Sequence, residues 1–593
     1  MEMEKQEIFA EYPRPQLKRD SYLNLNGNWI LNGNDILVPF PPESKAACYE
    51  GKIEKNLEYV KEFSLPEDFE KSLASNECKN RLILHFGAVD QVAYLSVDGN
   101  FVGSHTGGYL PFSFDITDYL SKNSLHEIRL DVKDSLNHKY PYGKQKKNRG
   151  GMWYTPVSGI WQSVWMEIVP EIYISKLKIL PDMKGLNLFV ETTNCQIPEE
   201  NNVFDFAIKV KIQNNSKKIQ EFISETTDIR IDLRTDENKD FDLWSPENPR
   251  LYDFTVELFT SKKDLEEGKN SVDCVKSYFG LREIAIKEVK GKNRICLNEK
   301  PIFLHGVLDQ GYFTEGIFLP ETEEGFSADI KKMQELGLNT LRKHIKIEPE
   351  AFYYQCDKLG MFVMQDMVNN GSYQFFRDTA FPTIFGDKGK IGKKKHIIKK
   401  EPTSETEKIF ISHSEEILEH LYNHPSVIYY TIFNEGWGQF KANYAYEYLK
   451  EVDSSRIFDT ASGWFKGPES DVESDHIYFK TPSLEERAEK STKPLVVSEC
   501  GGYTLSVENH IWNPKGKYGY GGSNTIQGLT EKISTMYEKM IIPAIKHGLC
   551  GCVYTQLSDV EDEINGFYTY DREVCKVEKE KIQEISKKIF EEI

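Results

Sequence analysis

The hydrophobic rhythm of this chain changes once. From about residue 20 to 170, apolar and polar positions alternate in short runs rich in β-branched and aromatic residues, such as RLILHFGAVDQVAYLSVDG and SVWMEIV, broken by Gly and Asn turns. A period of two marks strands with one buried face, so this region predicts a β-sandwich. A second β-rich stretch runs from LKILPDM through FAIKVKIQN to YDFTVELFT and is punctuated by WSPENP. At about 110 residues it has the size of an immunoglobulin-like sandwich. The predicted spans are 1–170 and 171–283, and neither shows a catalytic cluster.

After about residue 284, short apolar runs alternate with amphipathic helical stretches, the pattern of parallel βα units. Eight strands are predicted at 301–307, 339–344, 361–366, 427–434, 456–462, 475–479, 494–499 and 550–556, with helical segments such as FSADIKKMQELG between them and a charged amphipathic helix at the end. Eight βα repeats over 284–593 fit a (β/α)8 TIM barrel, whose active site forms where the strands end. One segment breaks the pattern. GDKGKIGKKKHIIKK, 386–400, carries seven lysines between Lys388 and Lys400 and reads as a solvated surface excursion rather than a lid or an anion-binding arm.

Length and composition agree with several domains. A chain of 593 residues exceeds one hydrophobic core, and 39% hydrophobic with 28% charged residues is ordinary globular usage. No run approaches the apolar length of a membrane helix. A net charge of −19 repels phosphate backbones and anionic lipid, which excludes nucleic acid and the membrane surface as expected partners. The start, MEMEKQEIFAEYPRP, lacks a secretory pattern, so a cytoplasmic location is expected. The ten cysteines show no metal-ligand spacing and read as buried reduced thiols.

Ionisable residues at strand ends are the place to look for chemistry, because a charge inside the barrel is costly while one at the rim can face substrate. Glu435 follows strand four in HPSVIYYTIFNEGWG, and Glu499 ends strand seven in KPLVVSECGGY. Two carboxyl groups about 5 to 5.5 Å apart are what a retaining glycosidase needs, one as acid and base and one as nucleophile. Asn434 offers an amide to a sugar hydroxyl, or caps a strand. Tyr478 offers a phenol to a carboxylate, or fills the core. Trp464 and Trp437 are placed to stack on a pyranose, or to pack.

These segments also resemble glycoside hydrolase family 2, the family of β-galactosidases, β-glucuronidases and β-mannosidases. YPRPQLKRDSYLNLNGNW, HFGAVDQVAYLSVDG, GGYLPFSFDIT and WYTPVSGIWQSVWMEIVP resemble its N-terminal sugar-binding jelly roll. The middle resembles its immunoglobulin-like domain, and YFGLREI followed by LNEKPIFLHGV resembles its entry into the barrel. HPSVIYYTIFNEGWG resembles the acid/base segment and VVSECGG the nucleophile segment. The resemblance thus implies general acid/base for Glu435, nucleophile for Glu499, and a β-galactosidase-like retaining exo-glycosidase acting on a small oligosaccharide or glycoside. It requires no cofactor and allows Mg2+ or Na+, as some members use. Oligomeric state is left open.

Departures concern the sugar. HGVLDQGYF places Asp309 and Gln310 where many β-galactosidases of the family carry basic residues, and RKHIKIEP keeps Arg342 but sets His344 one place early. Asp309 and Asp366 become candidates for sugar hydroxyls, or for ion pairs with Arg342 or His344. At the N-x-K position by which glucuronidases of the family read a carboxylate, this chain has Glu563 and Asn565, which disfavours a uronic acid; Asn513 and Lys515 form that tripeptide elsewhere. A mannoside, arabinoside or furanoside, a transglycosylase, and a non-catalytic sugar binder on the same fold are the alternatives.

Overall fold

The computed structural model describes residues 8–75, 79–193, 206–235, 240–380 and 401–593. The lysine-rich segment 386–400 lies outside the described residues. Two β-sandwiches precede an eight-stranded parallel sheet that rolls into a (β/α)8-like barrel, so the chain is multidomain. The first sandwich pairs a six-stranded with a four-stranded antiparallel sheet. Its strands follow the period of two: His126–Lys133 turns Ile128, Leu130 and Val132 inward, and Val92–Val97 turns Ala93, Leu95 and Val97 inward. They join Trp29, Tyr59, Leu84 and Met166 in one core, where truncating a leucine to alanine costs about 2 to 5 kcal/mol. The second sandwich packs Ile179, Leu188 and Ile231 of one sheet on Val210, Ile212, Phe254 and Val256 of the other.

The barrel strands are Leu304–Asp309, Thr340–Lys343, Phe362–Asp366, Val427–Asn434, Ile457–Ser462, Glu473–Ile477, Leu495–Gly501 and Leu549–Thr555. All eight residues of strand four are buried, as expected of a parallel strand covered on both faces. Ladders run from strand five through four, three, two, one, eight and seven to six. Strands five and six share none, so the barrel has one open seam.

Two boundaries differ from the sequence expectation for physical reasons. Lys300–Pro301 belongs not to strand one but to a small hairpin sheet with Lys292–Leu297, whose Ile295 and Leu297 pack with Leu304, Val496 and Cys550. Strand one instead runs on to Asp309, because Lys343 lies in register opposite it and neutralises its charge. Strand six begins at Glu473 and ends before Tyr478. Its polar start escapes the hydrophobic pattern because the strand borders the seam, where Glu473 and Asp475 pair with Arg487 and Lys466.

The helices are amphipathic as expected. Glu324–Glu335 buries Phe326, Ile330 and Met333, and the last helix, Lys579–Glu591, buries Ile582, Ile585 and Ile589. No helix among the described residues is long and apolar enough to cross a membrane. Buried cations tie the units together. Arg19 of the first sandwich pairs with Asp273 of the second at 2.8 Å, and Arg282 donates to the carbonyls of Pro425 and Val427 at the foot of strand four.

Candidate active site

Strand four delivers Glu435 to the rim through an abrupt turn. Glu435 has φ 53° and Gly436 φ 73°, both left-handed. That conformation costs a non-glycine residue roughly 1 to 2 kcal/mol and swings the carboxyl out of the strand direction. Its amide is held by the carbonyl of Ser462 at 3.1 Å. At Gly436 a β-carbon would lie 2.1 Å from the ring of Phe465, so glycine is required there. Glu499 needs no such device, since strand seven carries it directly.

Glu435, Glu499 and His476 converge, with one ligand atom from each lying within 4.8 Å of the others. That approach fits the carboxyl pair of a retaining glycosidase, for which about 5 to 5.5 Å is usual, better than the roughly 6.5 to 9.5 Å of an inverting one. His476 Nδ1 is 2.8 Å from Glu435 Oε1 and 3.5 Å from Glu499 Oε2. Burial pushes the imidazole down to about 3, so the ring is neutral at working pH. Its Nε2 is buried without a partner. An orphaned N–H is costlier than an orphaned acceptor, so the proton belongs on Nδ1, which then donates to Glu435.

The two carboxyl groups have different surroundings. Burial raises Glu435 to about 7, against the opposing pull of Lys144 and Arg342. Glu499 accepts from two strong donors, Arg342 Nη1 at 3.0 Å on Oε1 and the Tyr478 hydroxyl at 2.5 Å on Oε2. These fix its orientation.

Arg342 is the hub. Fully buried, it makes a bidentate pair with Asp366 at 3.0 Å on both oxygens. It also donates to Glu499, to the carbonyl of Ser498, to Asn434 Oδ1 and to Ser462 Oγ. Burial alone would raise Asp366, but Arg342 and His344, the latter at 2.7 Å, outweigh it and hold it low. Burial lowers His344 to about 3, so it too is neutral. Asp366 therefore spends its oxygens on Arg342 and His344. Asn434 has its carbonyl occupied by Arg342 and Ser462, and its NH2 remains for a ligand.

Asp309 is not brought to the carboxylates. It accepts from Lys343 at 2.6 Å and the amide of Gly311 at 2.9 Å, in a buried cluster completed by Glu348 and Lys346. Its partner is thus Lys343, neither Arg342 nor His344. Trp464 donates its N–H to the carbonyl of Asp378 and sets its ring edgewise on His476 at 5.4 Å. Trp437 packs on Trp153 and Tyr373.

Sequence reasoning missed His476, and although it predicted the first sandwich it missed that sandwich's contribution to the mouth. Tyr142 takes the N–H of Trp437 at 3.2 Å and gives its own proton to the carbonyl of Gly371. Tyr154 donates to Glu563 at 2.5 Å, and Arg149 pairs with Glu561 at 3.0 Å. Asn565 holds the other oxygen of Glu563 at 2.9 Å, while Asn513 binds Asp562 at 2.8 Å. The signal available was the density of Tyr, Trp, Gly and Lys in YPYGKQKKNRGGMWYTP, unusual for a sandwich loop facing solvent.

Two groups among the described residues have metal-ligand spacing. Glu435, His476 and Glu499 include an imidazole, which suits a transition ion better than Mg2+ or Na+, and an ion there would occupy both carboxylates. His510, Asp571 and Glu573 lie outside the carboxylate cluster, where Asp571 already holds His510 at 2.7 Å. All the described cysteines are free, and Cys550 and Cys552 are buried.

Residues 287–511 match the model described as glycosyl hydrolases family 2, TIM barrel domain, and residues 172–282 match a second glycosyl hydrolases family 2 model. The chain is 24% identical over 368 residues to a β-galactosidase of Thermoanaerobacter pseudethanolicus, covering 58% of this chain and 46% of that one. It is 22% identical over 559 residues to a β-glucuronidase of Streptococcus agalactiae, covering 85% and 86%. It thus spans under half of the β-galactosidase and most of the β-glucuronidase. Among solved structures, a β-D-glucuronidase of Dictyoglomus thermophilum superposes with a TM-score of 0.72 at 16% identity over 97% of this chain and 98% of that one. A β-galacturonidase of Eisenbergiella tayi bound to galacturonate gives 0.66 at 18% over 98% and 99%. These structures share the fold. With consecutive family models on the second sandwich and the barrel, and two glutamates converging at the barrel rim, the chain belongs to glycosyl hydrolases family 2.

Proposed function

We propose that the protein is a retaining exo-β-glycosidase that removes a terminal, non-reducing sugar by double displacement. The observation that carries this reading is the approach of Glu435 and Glu499 to within 4.8 Å at the C-terminal rim of the barrel. Glu499 is the nucleophile. Its carboxylate attacks the anomeric carbon as the bond to the leaving oxygen breaks, and Glu435 gives that oxygen its proton. A glycosyl ester on Glu499 results. Glu435, now ionised, takes a proton from water, whose oxygen attacks the same carbon and releases Glu499.

The surroundings suit these roles. Glu435, raised to about 7 by burial, keeps its proton until it is needed. His476 donates to Oε1, so the acidic proton sits on Oε2. The amide nitrogen of Asn434 is free to hold the 2-hydroxyl, a contact that strengthens at the transition state. Exo action fits a mouth that the first sandwich closes on one side, with Tyr142 and Trp153 packed against Trp437. The chain's similarity to proteins named β-galactosidase, β-glucuronidase and β-galacturonidase supports a hexoside, neutral or acidic.

A panel of aryl β-glycosides, with the anomer first released identified by NMR, tests the reading. The β-anomer is expected. Glu499→Gln abolishes turnover in a folded protein. Glu435→Gln loses about 10²- to 10⁴-fold on poor leaving groups and far less on dinitrophenyl glycosides, which need no acid. Near wild-type turnover by Glu499→Gln, or release of the α-anomer, overturns it.

A further inference from the structure

The loop of the first sandwich that covers the mouth carries a cation with nothing to pair with. Lys144 is 9% exposed, yet its ammonium makes no ion pair or hydrogen bond among the described residues. It stands over the face of Tyr154, 6.0 Å from the ring centroid. The backbone around it is firmly placed. Its carbonyl accepts from the amide of Tyr154 at 3.0 Å, and the amide of Tyr142 donates to the carbonyl of Asn369 at 3.1 Å. Gly143, with φ +62°, passes so close to the loop after strand two that a β-carbon there would sit 3.0 Å from the carbonyl of Ile345. The residues before Lys144 thus touch the loops that follow strands two, three and four.

The contacts of the two preceding residues, Tyr142 with Trp437 and Gly143 against the Ile345 carbonyl, set Lys144 beside the mouth. Its charge reaches both Glu435 and His344, opposing protonation of each. Among the described residues Glu435 receives its hydrogen bond from His476 and none from Lys144. A buried ammonium left without a counter-charge is costly, and the cost is recovered when a ligand supplies one. A sugar whose C1 reaches Glu499 and whose 2-hydroxyl reaches Asn434 would lie at the mouth that this loop borders.

We propose that Lys144 selects the sugar by pairing with a carboxylate that the sugar itself carries, so that the preferred substrates are β-linked uronosides. The proposal rests on the glycosidase reading above and names its substrate class. It runs against the expectation drawn from Glu563. That carboxylate is already engaged on both oxygens, by Tyr154 and Asn565, whereas the ammonium facing the mouth is unengaged. Carboxylate recognition would then come from the sandwich, through a residue outside the barrel segments that define the family.

The test compares p-nitrophenyl β-glucuronide and β-galacturonide with the corresponding β-glucoside and β-galactoside. The wild type is expected to favour a uronoside over its neutral counterpart by at least about tenfold in kcat/KM, the scale of one charged hydrogen bond. Lys144→Met should collapse that ratio, and Lys144→Arg, which keeps the charge, should retain most of it. A wild type that prefers neutral hexosides, or a ratio unchanged in Lys144→Met, overturns the proposal. Calorimetry of glucuronate and galacturonate binding to wild type and Lys144→Met separates it from the function it rests on. Lys144-dependent binding without turnover of any glycoside would leave the carboxylate site standing and remove the hydrolase reading. Turnover without such a dependence would do the reverse.

Discussion

The Nδ1 of His476 lies 2.8 Å from Oε1 of Glu435, and the same nitrogen is 3.5 Å from Glu499. A neutral ring so placed positions both groups without transferring a proton itself. Removing it frees Glu435 to rotate and deletes a donor to its ionised form. His476→Ala is expected to lower kcat by about 10²-fold, within the range of general-acid effects, and to move the alkaline limb of the pH profile upward. A merely structural role would lower activity without moving that limb.

The pH dependence follows from Glu435, whose carboxyl is raised to about 7 by burial. The first step needs its protonated form, so kcat/KM should fall about tenfold per pH unit above that value. Stability follows the same sign. The folded group binds its proton more tightly than the unfolded one, so the stabilisation is complete below the unfolded pKa of about 4.3 and is lost as pH rises through 7. Against Glu435→Gln, the wild type should lose about 3 kcal/mol of folding stability between pH 4 and 8. Denaturant melts of the two proteins at both pH values measure this, and a constant difference would refute it.

Arg342 answers two buried carboxylates at once, Asp366 and Glu499. Arg342→Met leaves both without their counter-charge, at a cost of about 3 to 5 kcal/mol. Arg342→Lys keeps the charge but loses the fork that spans Asp366, Asn434 and Glu499. Calorimetric melting should therefore rank wild type above Lys above Met, with activity largely lost in both variants. A melting temperature for the Met variant equal to that of wild type would dismiss the hub role.

Gly143 passes close against the loop after strand two, where a β-carbon would lie 3.0 Å from the Ile345 carbonyl. Gly143→Ala forces a β-carbon into a left-handed residue, at about 1 to 2 kcal/mol, and against the Ile345 carbonyl. The loop must lift, carrying Tyr142 and Lys144 with it. A rise in KM larger than the fall in kcat is expected, and an unchanged KM would show that the loop does not line the mouth.

The chain yielded its architecture readily because strands and helices bury on different periods. Strand four was legible to the residue, being an unbroken apolar run between polar ends. Strand six was displaced, since its outer face answers to Lys466 and Arg487 and looks like a loop on hydrophobicity alone. Glu435 and Glu499 stood out as charges ending apolar runs. Asp309 and Asp366 stood out for the same reason, and only coordinates show that Lys343 occupies the one and Arg342 the other. His476 and Lys144 carry no local signal. One depends on a strand whose start was hidden, the other on a contact between residues some 200 positions apart along the chain, from Gly143 to Ile345.

The open seam bears on how such a site fails. Like strand five across the seam, strand six is laddered on one edge only, so it is cheaper to displace than the six strands laddered on both edges. His476 lies within it and Tyr478 just beyond its end, and these are the two side chains that reach the carboxylates across the seam side of the mouth. Warming should therefore slacken the grip on the two glutamates while the rest of the ladder still holds, so that the enzyme falls silent before it melts.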